Sequence, residues 1–192
     1  MSFDYQPFRS LAIPNKRTLI LILVMTKLER NLCKFLPQQT FLNFNLVERI
    51  NMAINLAFEV QKMSGDSYGR TAHRDLKPNN VMLDATRNLS IIDFGIGRTY
   101  GDYQRGDLPW KTCGTVAFVA PEQFTCKKQS HLVDIWALGK IIALIIFEWS
   151  FGWELLWSPK FLKPDEIKSL GPLLKLIDLI KDMIEVSYHY EY

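Results

Sequence analysis

The sequence has few cysteines, and none of them is placed as a zinc site or a disulfide framework requires. Its 192 residues contain three, Cys33, Cys113 and Cys126, with no C-x-x-C spacing. An odd, scattered set excludes a disulfide framework and a zinc knuckle, and it is typical of a reducing compartment. We therefore expect an intracellular protein, in the cytoplasm or the nucleus.

Long apolar runs and an excess of one charge are also absent. The longest runs, Leu19–Met25 and Ile141–Phe147, have seven residues each, whereas a membrane-spanning helix needs about 20. The net charge is only +3, from 23 basic and 20 acidic residues. We therefore expect neither a nucleic-acid partner nor a membrane partner.

The order of apolar patterns indicates an α+β fold dominated by helices. The first eighteen residues lack periodicity and are predicted to form a loop, and the β-branched run Leu19–Val24 is predicted to be a buried strand. Helical spacing follows over Leu46–Met63, near Val133–Phe147 and from about residue 170 to 186. No βαβ repetition is present, which also points to an α+β arrangement.

Two short apolar runs in the middle of the chain predict a β-hairpin. Val81–Leu83 and Leu89–Ile92 are separated by five loop residues. Asn80 precedes the first strand and Asp93 follows the second, so antiparallel pairing brings these two residues to the same end of the hairpin. The sequence therefore predicts a small patch of polar side chains there.

The residues of this patch suit phosphoryl transfer. Carboxylate and amide oxygens are ligands that Mg²⁺ prefers, so Asn80 and Asp93 are candidate metal ligands. Asp75 and Lys77 lie on the loop that enters the hairpin. Asp75 can accept the proton of an attacking hydroxyl, and the Lys77 ammonium can stabilise the negative charge of a moving phosphoryl group.

The same residues resemble the signatures of the eukaryotic protein kinases. His73–Asn80 matches the catalytic loop of that family, and Asp93–Gly95 its Asp-Phe-Gly motif. Cys113–Glu122 looks like the end of an activation segment, and Asp134–Gly139 looks like the buried helix that anchors the catalytic loop. The resemblance implies a protein-kinase-like fold, mainly the helical C-lobe with the catalytic-loop hairpin and one residual N-lobe strand.

The resemblance also implies a reaction and a subclass. Lys77 follows Asp75 by two residues and Thr115 precedes the Ala-Pro-Glu motif, which is similar to serine/threonine kinases. The implied activity is transfer of the ATP γ-phosphoryl, with Mg²⁺, to a Ser or Thr of a protein substrate. Thr115 would help to position the acceptor loop.

Further site residues are implied by the same resemblance. Met25 occupies the gatekeeper position, and Thr26 and Leu28 belong to a hinge whose backbone meets adenine. The other implied ATP-binding residues are Lys77, Asn80, Met82 and Asp93.

Two more implications concern regulation and packing near the catalytic loop. Arg74 and Arg98 would form a basic pocket for a phosphorylated residue of the activation segment. His73 would pack near Phe94 instead of serving as a base.

The sequence departs from the family ahead of its first predicted strand. No G-x-G-x-x-G motif and only one lysine, Lys16, occur in the first eighteen residues. Residues 1–28 are therefore interpreted as an N-lobe remnant with the hinge and residues 29–192 as a C-lobe, an incomplete catalytic domain whose exposed N-lobe side a partner would cover. Two alternatives stay open: a non-catalytic, pseudokinase-like interaction module, or a partial gene product.

Overall fold

The computed structural model describes residues 9–15, 18–24, 27–64, 71–99, 114–124, 130–157 and 174–185. In these segments helices are the commonest regular structure, and the strands are short and antiparallel. The α+β architecture predicted from the sequence is confirmed.

Three long helices and three single helical turns lie in the described segments. The long helices are α3 (Leu46–Ser64), α5 (Leu132–Trp157) and α6 (Leu174–Glu185), and the single turns are α1 (Leu32–Phe35), α2 (Gln39–Leu42) and α4 (Pro121–Phe124). All three helices expected from apolar spacing are present, although α5 continues beyond Phe147.

Helix α3 begins with a capping box that is visible in the sequence. The Asn45 side chain accepts the Glu48 N–H at 3.1 Å, and the Glu48 carboxylate accepts the Asn45 N–H at 2.8 Å. Each side chain thereby satisfies one N–H that the first helical turn leaves without a partner. The large apolar residues that this helix buries recur every three or four positions, namely Met52, Leu56, Val60 and Met63.

The first strands form a two-stranded antiparallel sheet. Strand β1 (Arg9–Asn15) pairs with β2 (Thr18–Val24) along its whole length. The prediction of a loop through residue 18 and of a single N-lobe strand is therefore wrong. The apolar stretch around Leu11 was too short to give a period, and Pro14 argued against a strand. Pro14 is tolerated because both strands of a two-stranded sheet are edges, where a missing N–H breaks no central ladder.

The predicted hairpin is confirmed in a second sheet of three strands. Strands β5 (Val81–Leu83) and β6 (Leu89–Ile91) pair with the register Val81↔Ile91, and β3 (Arg30–Asn31) lies on the other side of β5.

Side-chain bonds order the five-residue loop of this hairpin. Asp84 Oδ1 accepts the N–H groups of Thr86 at 2.8 Å and Asn88 at 2.9 Å. Burial tends to raise the pKa of the Asp84 carboxyl, but the hydrogen bonds from Thr86 and Asn88 outweigh it and lower that pKa overall. A third two-stranded sheet pairs β4 (Thr71–Ala72) with β7 (Arg98–Thr99).

Helix α5 is at the centre of the core. Both α3 and α6 pack against it, and its residues Ile141, Leu144 and Ile145 are fully buried. Each such side chain contributes about 1.5–3 kcal/mol on burial. Gly139 permits the close approach of α6, because a Cβ there would lie 3.1 Å from the Met183 Cβ. None of the described helices combines the length and the apolarity that a membrane crossing requires.

The first turn of α5 holds the loop that precedes the hairpin. The Asp134 carboxylate, 2% exposed, accepts the N–H of His73 at 2.7 Å and the N–H of Arg74 at 2.9 Å. Arg74 has a φ of 69°, a left-handed conformation that costs a non-glycine residue about 1–2 kcal/mol. Burial raises the pKa of the Asp134 carboxyl, and the two N–H bonds oppose that rise. The carboxylate therefore stabilises a strained backbone.

Replacing Asp134 by Ala is expected to destabilise the protein strongly. The substitution leaves two buried backbone N–H groups without their acceptor, at roughly 1–3 kcal/mol each, so we expect a loss of about 2–6 kcal/mol in urea unfolding. Asp178→Ala is the control, since Asp178 is exposed and lies 3.9 Å from Lys181. A D134A variant as stable as D178A would contradict this account.

A lysine is buried in the same helix. Lys140 is 7% exposed, its Nζ donates to the Ala117 carbonyl at 3.0 Å, and it lies 4.9 Å from the centroid of the Trp136 ring. Burial lowers the pKa of Lys140 from 10.5 to about 8. The native state therefore releases this proton at a lower pH than the unfolded chain does.

Lys140 should make the protein more stable as the pH rises from 8 to 10.5. In that range the unfolded chain still binds the proton that the native state has lost, so the free energy of unfolding increases, by about 3 kcal/mol over the whole range. The measurement is urea unfolding at several pH values for the wild type and Lys140→Met. As the pH rises, the free energy of unfolding of the wild type should increase relative to that of K140M. Parallel pH profiles of the two proteins would refute the lowered pKa of Lys140.

Candidate active site

Three side chains meet where His73–Asn80, named the catalytic loop here for its resemblance to that loop of the kinases, faces the segment after Gly114. The Asp75 carboxylate accepts two hydrogen bonds. Lys77 Nζ donates to its Oδ2 at 2.7 Å, and the Thr115 hydroxyl donates to its Oδ1 at 2.9 Å. Lys77 Nζ also donates to Thr115 Oγ1 at 2.8 Å. The structure thus brings together three predicted site residues, one of them about forty positions away in sequence. The Asp75 and Lys77 side chains remain 16% and 22% exposed, so solvent or a ligand reaches them.

Asn80 joins this group from a short 3₁₀ helix, Pro78–Asn80. Its Nδ2 donates to the Asp75 carbonyl at 2.9 Å and lies 3.4 Å from Asp75 Oδ2. Because the amide nitrogen faces Asp75, the amide oxygen is on the side turned away from it. Asn80 is 5% exposed, and its orientation is therefore fixed.

The hairpin brings Asp93 to the end where Asn80 lies. The Ile92 N–H donates to the Asn80 carbonyl at 2.9 Å, and Asp93 follows with a φ of 66°. Gly95 leaves room for the Asp93 carboxylate, since a Cβ at Gly95 would lie 3.2 Å from Asp93 Oδ1. An exposed carboxylate and a fixed amide oxygen are a donor set that fits Mg²⁺, which keeps water or phosphate oxygens in its other positions.

His73 has a packing role in the structure. Its ring is fully buried, lies 4.8 Å from the Phe94 ring, and its Nε2 bonds the Ile92 carbonyl at 2.8 Å. Its Nδ1 accepts the Asp75 N–H at 3.3 Å, so the ring is assigned as the neutral Nε2–H tautomer. The predicted packing of His73 near Phe94 is confirmed, and the ring ties the catalytic loop to the end of the hairpin.

The two arginines of the predicted regulatory pocket occupy different environments. Arg74 is buried, with Nη1 3.5 Å from the Ile96 carbonyl, whereas Arg98 is exposed on β7 and pairs with Ala72. Residues 100–113, which separate β7 from Gly114, lie outside the described residues. The pocket therefore stays a prediction.

The predicted adenine-binding residues are described only in part. Met25 and Thr26 lie outside the described residues. Leu28 is half-buried, and the neighbouring Glu29 N–H donates to the Leu83 carbonyl at 2.9 Å, which ties this segment to strand β5. Met82, on the same strand, is also half-buried. Leu28 thus lies just ahead of the sheet that contains Met82, and the role of both residues in ATP binding stays a prediction.

Sequence reasoning missed Gln123, which links the segment after Gly114 to the catalytic loop. Gln123 is 2% exposed, its Nε2 donates to the Arg74 carbonyl at 2.9 Å, and its Oε1 accepts the Ala120 N–H at 2.9 Å. Its partner Arg74 is 49 residues away, so no local spacing could have identified it. The one available signal was a polar residue in a short helix directly after the Ala-Pro-Glu motif.

Gly114 lets the same two segments approach each other. It has a φ of 103°, and a Cβ at this position would lie 2.9 Å from the Arg74 carbonyl and 2.8 Å from Val119 Cγ2. Only glycine fits both the backbone conformation and the space. The segment that begins here is therefore held against the catalytic loop by shape as well as by hydrogen bonds.

Comparisons with known proteins identify a family for this chain. The sequence matches the protein kinase domain family over residues 14–154. It is 38% identical over 108 residues to the cGMP-dependent protein kinase, isozyme 1, of Drosophila melanogaster. The aligned region covers 56% of this chain and 12% of that protein. It is 35% identical over 106 residues to the cGMP-dependent protein kinase 2 of Homo sapiens, covering 55% and 12%.

A plant relative gives a shorter match. The CBL-interacting protein kinase 10 of Oryza sativa subsp. japonica is 43% identical over 75 residues, covering 38% of this chain and 17% of that protein. The matched region thus spans less than a fifth of the length of each of these relatives. The family match extends over most of this chain, and the chain therefore belongs to the eukaryotic protein kinase family.

Proposed function

We propose that this chain carries the catalytic C-lobe of a serine/threonine protein kinase, which transfers the γ-phosphoryl of ATP to a Ser or Thr of a protein substrate. The observation that carries the proposal is the mutual contact of Asp75, Lys77 and Thr115. In this proposal residues 29–192 form the C-lobe, and residues 1–28 form the hinge with the N-lobe remnant.

Asp75 is proposed as the base for the acceptor hydroxyl. A carboxylate offers about four lone-pair positions. Lys77 and Asn80 bond Oδ2 and Thr115 bonds Oδ1, so one position remains on Oδ1. A substrate hydroxyl can therefore still donate to this carboxylate. Since the bonds from Lys77 and Thr115 fix its orientation, the accepted proton goes to a positioned oxygen, as general-base catalysis requires.

Lys77 is proposed to stabilise the transferred phosphoryl group. Two of its three N–H groups are directed at Asp75 and Thr115. The third can donate to a phosphoryl oxygen, whose negative charge is spread out in the transition state. The ammonium thus connects the base with the group that the acceptor attacks.

Asn80 and Asp93 are proposed to hold Mg²⁺, and the nucleotide would extend from them towards the hinge. The ion, when bound, neutralises charge on the phosphates of ATP. The Asn80 amide oxygen faces away from Asp75, and Asp93 is exposed at the same end of the hairpin. Adenine is proposed to contact Met25, Thr26, Leu28 and Met82, with Lys77 towards the phosphates.

A non-catalytic interaction module is the second candidate, and one observation favours it. Phe94 and Ile96, next to the proposed metal ligand Asp93, are 46% and 39% exposed. Exposed apolar side chains at one place are typical of a surface that a partner covers. An interaction module would use this surface without binding Mg·ATP, so nucleotide binding distinguishes the two candidates.

Mg·ATP is expected to raise the melting temperature, and Asp93→Ala should abolish this effect. At ten times its Kd, ATP contributes about 1.4 kcal/mol, which is roughly 3–6 °C for a chain of this size. Thermal unfolding with and without Mg·ATP is the measurement. Asp178→Ala, an exposed carboxylate on α6, should keep the wild-type shift. No shift in the wild type would favour the interaction module, whereas an equal shift in D93A would refute the proposed role of Asp93 as a metal ligand.

Thr115→Val is expected to reduce phosphoryl transfer to a Ser-containing peptide, whereas Thr115→Ser should retain it. Valine removes the hydroxyl that bonds both Asp75 and Lys77. Hydrogen bonds to charged groups contribute roughly 1.5–3 kcal/mol, which corresponds to a loss of about 10- to 150-fold in rate. The Mg·ATP melting shift should not change in either variant. Equal rates for T115V and T115S would rule out this role of the hydroxyl.

A further inference from the structure

The segment from Thr115 to Val119 is a tight turn whose backbone is held from two directions. The Thr115 carbonyl accepts the N–H groups of Phe118 at 2.8 Å and Val119 at 3.1 Å. The Ala117 carbonyl, which belongs to the same peptide unit as the Phe118 N–H, accepts Lys140 Nζ at 3.0 Å. Because a peptide unit is planar, bonds to its carbonyl and its N–H together fix its orientation.

Lys140 is an unexpected residue at its position in α5. The next six residues of the helix, 141–146, are all buried and apolar, and Lys140 itself is 7% exposed. Burying an ammonium group costs free energy, as its lowered pKa of about 8 reflects. The contact with the Trp136 ring offsets part of this cost. An apolar residue would pack here at a lower cost, so packing alone does not explain a lysine.

The contact of Lys140 completes a set of three attachments on one short segment. Thr115, at its start, bonds Asp75 and Lys77. Gln123, after its end, bonds the Arg74 carbonyl. Lys140 holds the middle, and it does so from α5, the helix that also anchors the catalytic loop through Asp134.

We propose that Lys140 is a positioning residue for phosphoryl transfer: it holds the Ala117 carbonyl and so fixes the Thr115 hydroxyl and the exposed Val116 against a protein substrate. Val116 is 65% exposed, and it lies between Thr115 and the peptide unit that Lys140 holds. The catalytic consequence of this role rests on the proposed function, whereas the contact itself does not.

The kinetic test uses Lys140→Met, which removes the ammonium, and Lys140→Gln, which keeps a neutral donor. We expect K140M to raise the KM for a Ser-containing peptide about tenfold, with the KM for ATP unchanged within twofold. K140Q should recover part of the loss. Lys175→Met, an exposed lysine on α6, is the control and should behave as the wild type. Equal changes in both KM values, or none, would overturn the proposal.

A second measurement does not require activity. Amide hydrogen exchange of Phe118 and Val119 reports the turn directly, because both N–H groups bond the Thr115 carbonyl. In K140M these amides should exchange at least tenfold faster than in the wild type, while amides in the middle of α3 keep their rates. If the wild type transfers no phosphoryl group, the proposed function fails. Amide hydrogen exchange then tests by itself whether Lys140 holds the turn. Unchanged protection of the two amides in K140M would then refute the contact.

Discussion

The arrangement of the site depends on one buried carboxylate. Asp134 accepts two consecutive backbone N–H groups, those of His73 and Arg74, at the point where the chain enters the catalytic loop. Arg74 adopts a left-handed conformation there, which an arginine does not adopt without support. The Asp134 carboxylate therefore fixes the backbone directly before Asp75. That backbone in turn directs the Asp75 side chain towards Lys77 and Thr115. The strained conformation is thus stabilised by the core helix and not by the loop's own sequence.

The catalytic loop and the segment after Gly114 are attached to the rest of the fold mostly through their main-chain groups. Gln123 and Lys140 each bond a carbonyl, His73 bonds both a carbonyl and an N–H, and Asn80 bonds the carbonyl of Asp75. Backbone groups buried in loops need partners, and their cost when left without one is about 1–3 kcal/mol each. The buried polar side chains around the site therefore have two roles: they satisfy the hydrogen-bonding groups of the loop backbones, and they hold these loops in one geometry.

The parts of the fold that follow from short-range patterns were predictable from the sequence. Helix α3 shows an apolar stripe and a capping box, and the hairpin β5–β6 shows two apolar runs around a polar loop. Strand β1 was missed because its apolar stretch is short and contains Pro14, which indicates a break unless the strand is known to lie at an edge. Gln123 and Lys140 were missed for a different reason. Their partners are 49 and 23 residues away, and no period in the sequence encodes such a contact.

The relation between Asn80 and Asp93 is a property of the hairpin register. The pairing Val81↔Ile91 and the bond from the Ile92 N–H to the Asn80 carbonyl leave Asp93 just beyond the paired residues. A slip of one residue would turn every side chain of one strand to the opposite face. It would also change the position of Asp93 relative to Asn80 at this end of the hairpin. The Asp84 loop and the strand β3 both act against such a slip, because the loop is ordered directly after Leu83 and β3 pairs with Met82 and Leu83 of β5. A metal site built on this pair would therefore depend on residues that never contact the ion, and its geometry would be kept by the sheet.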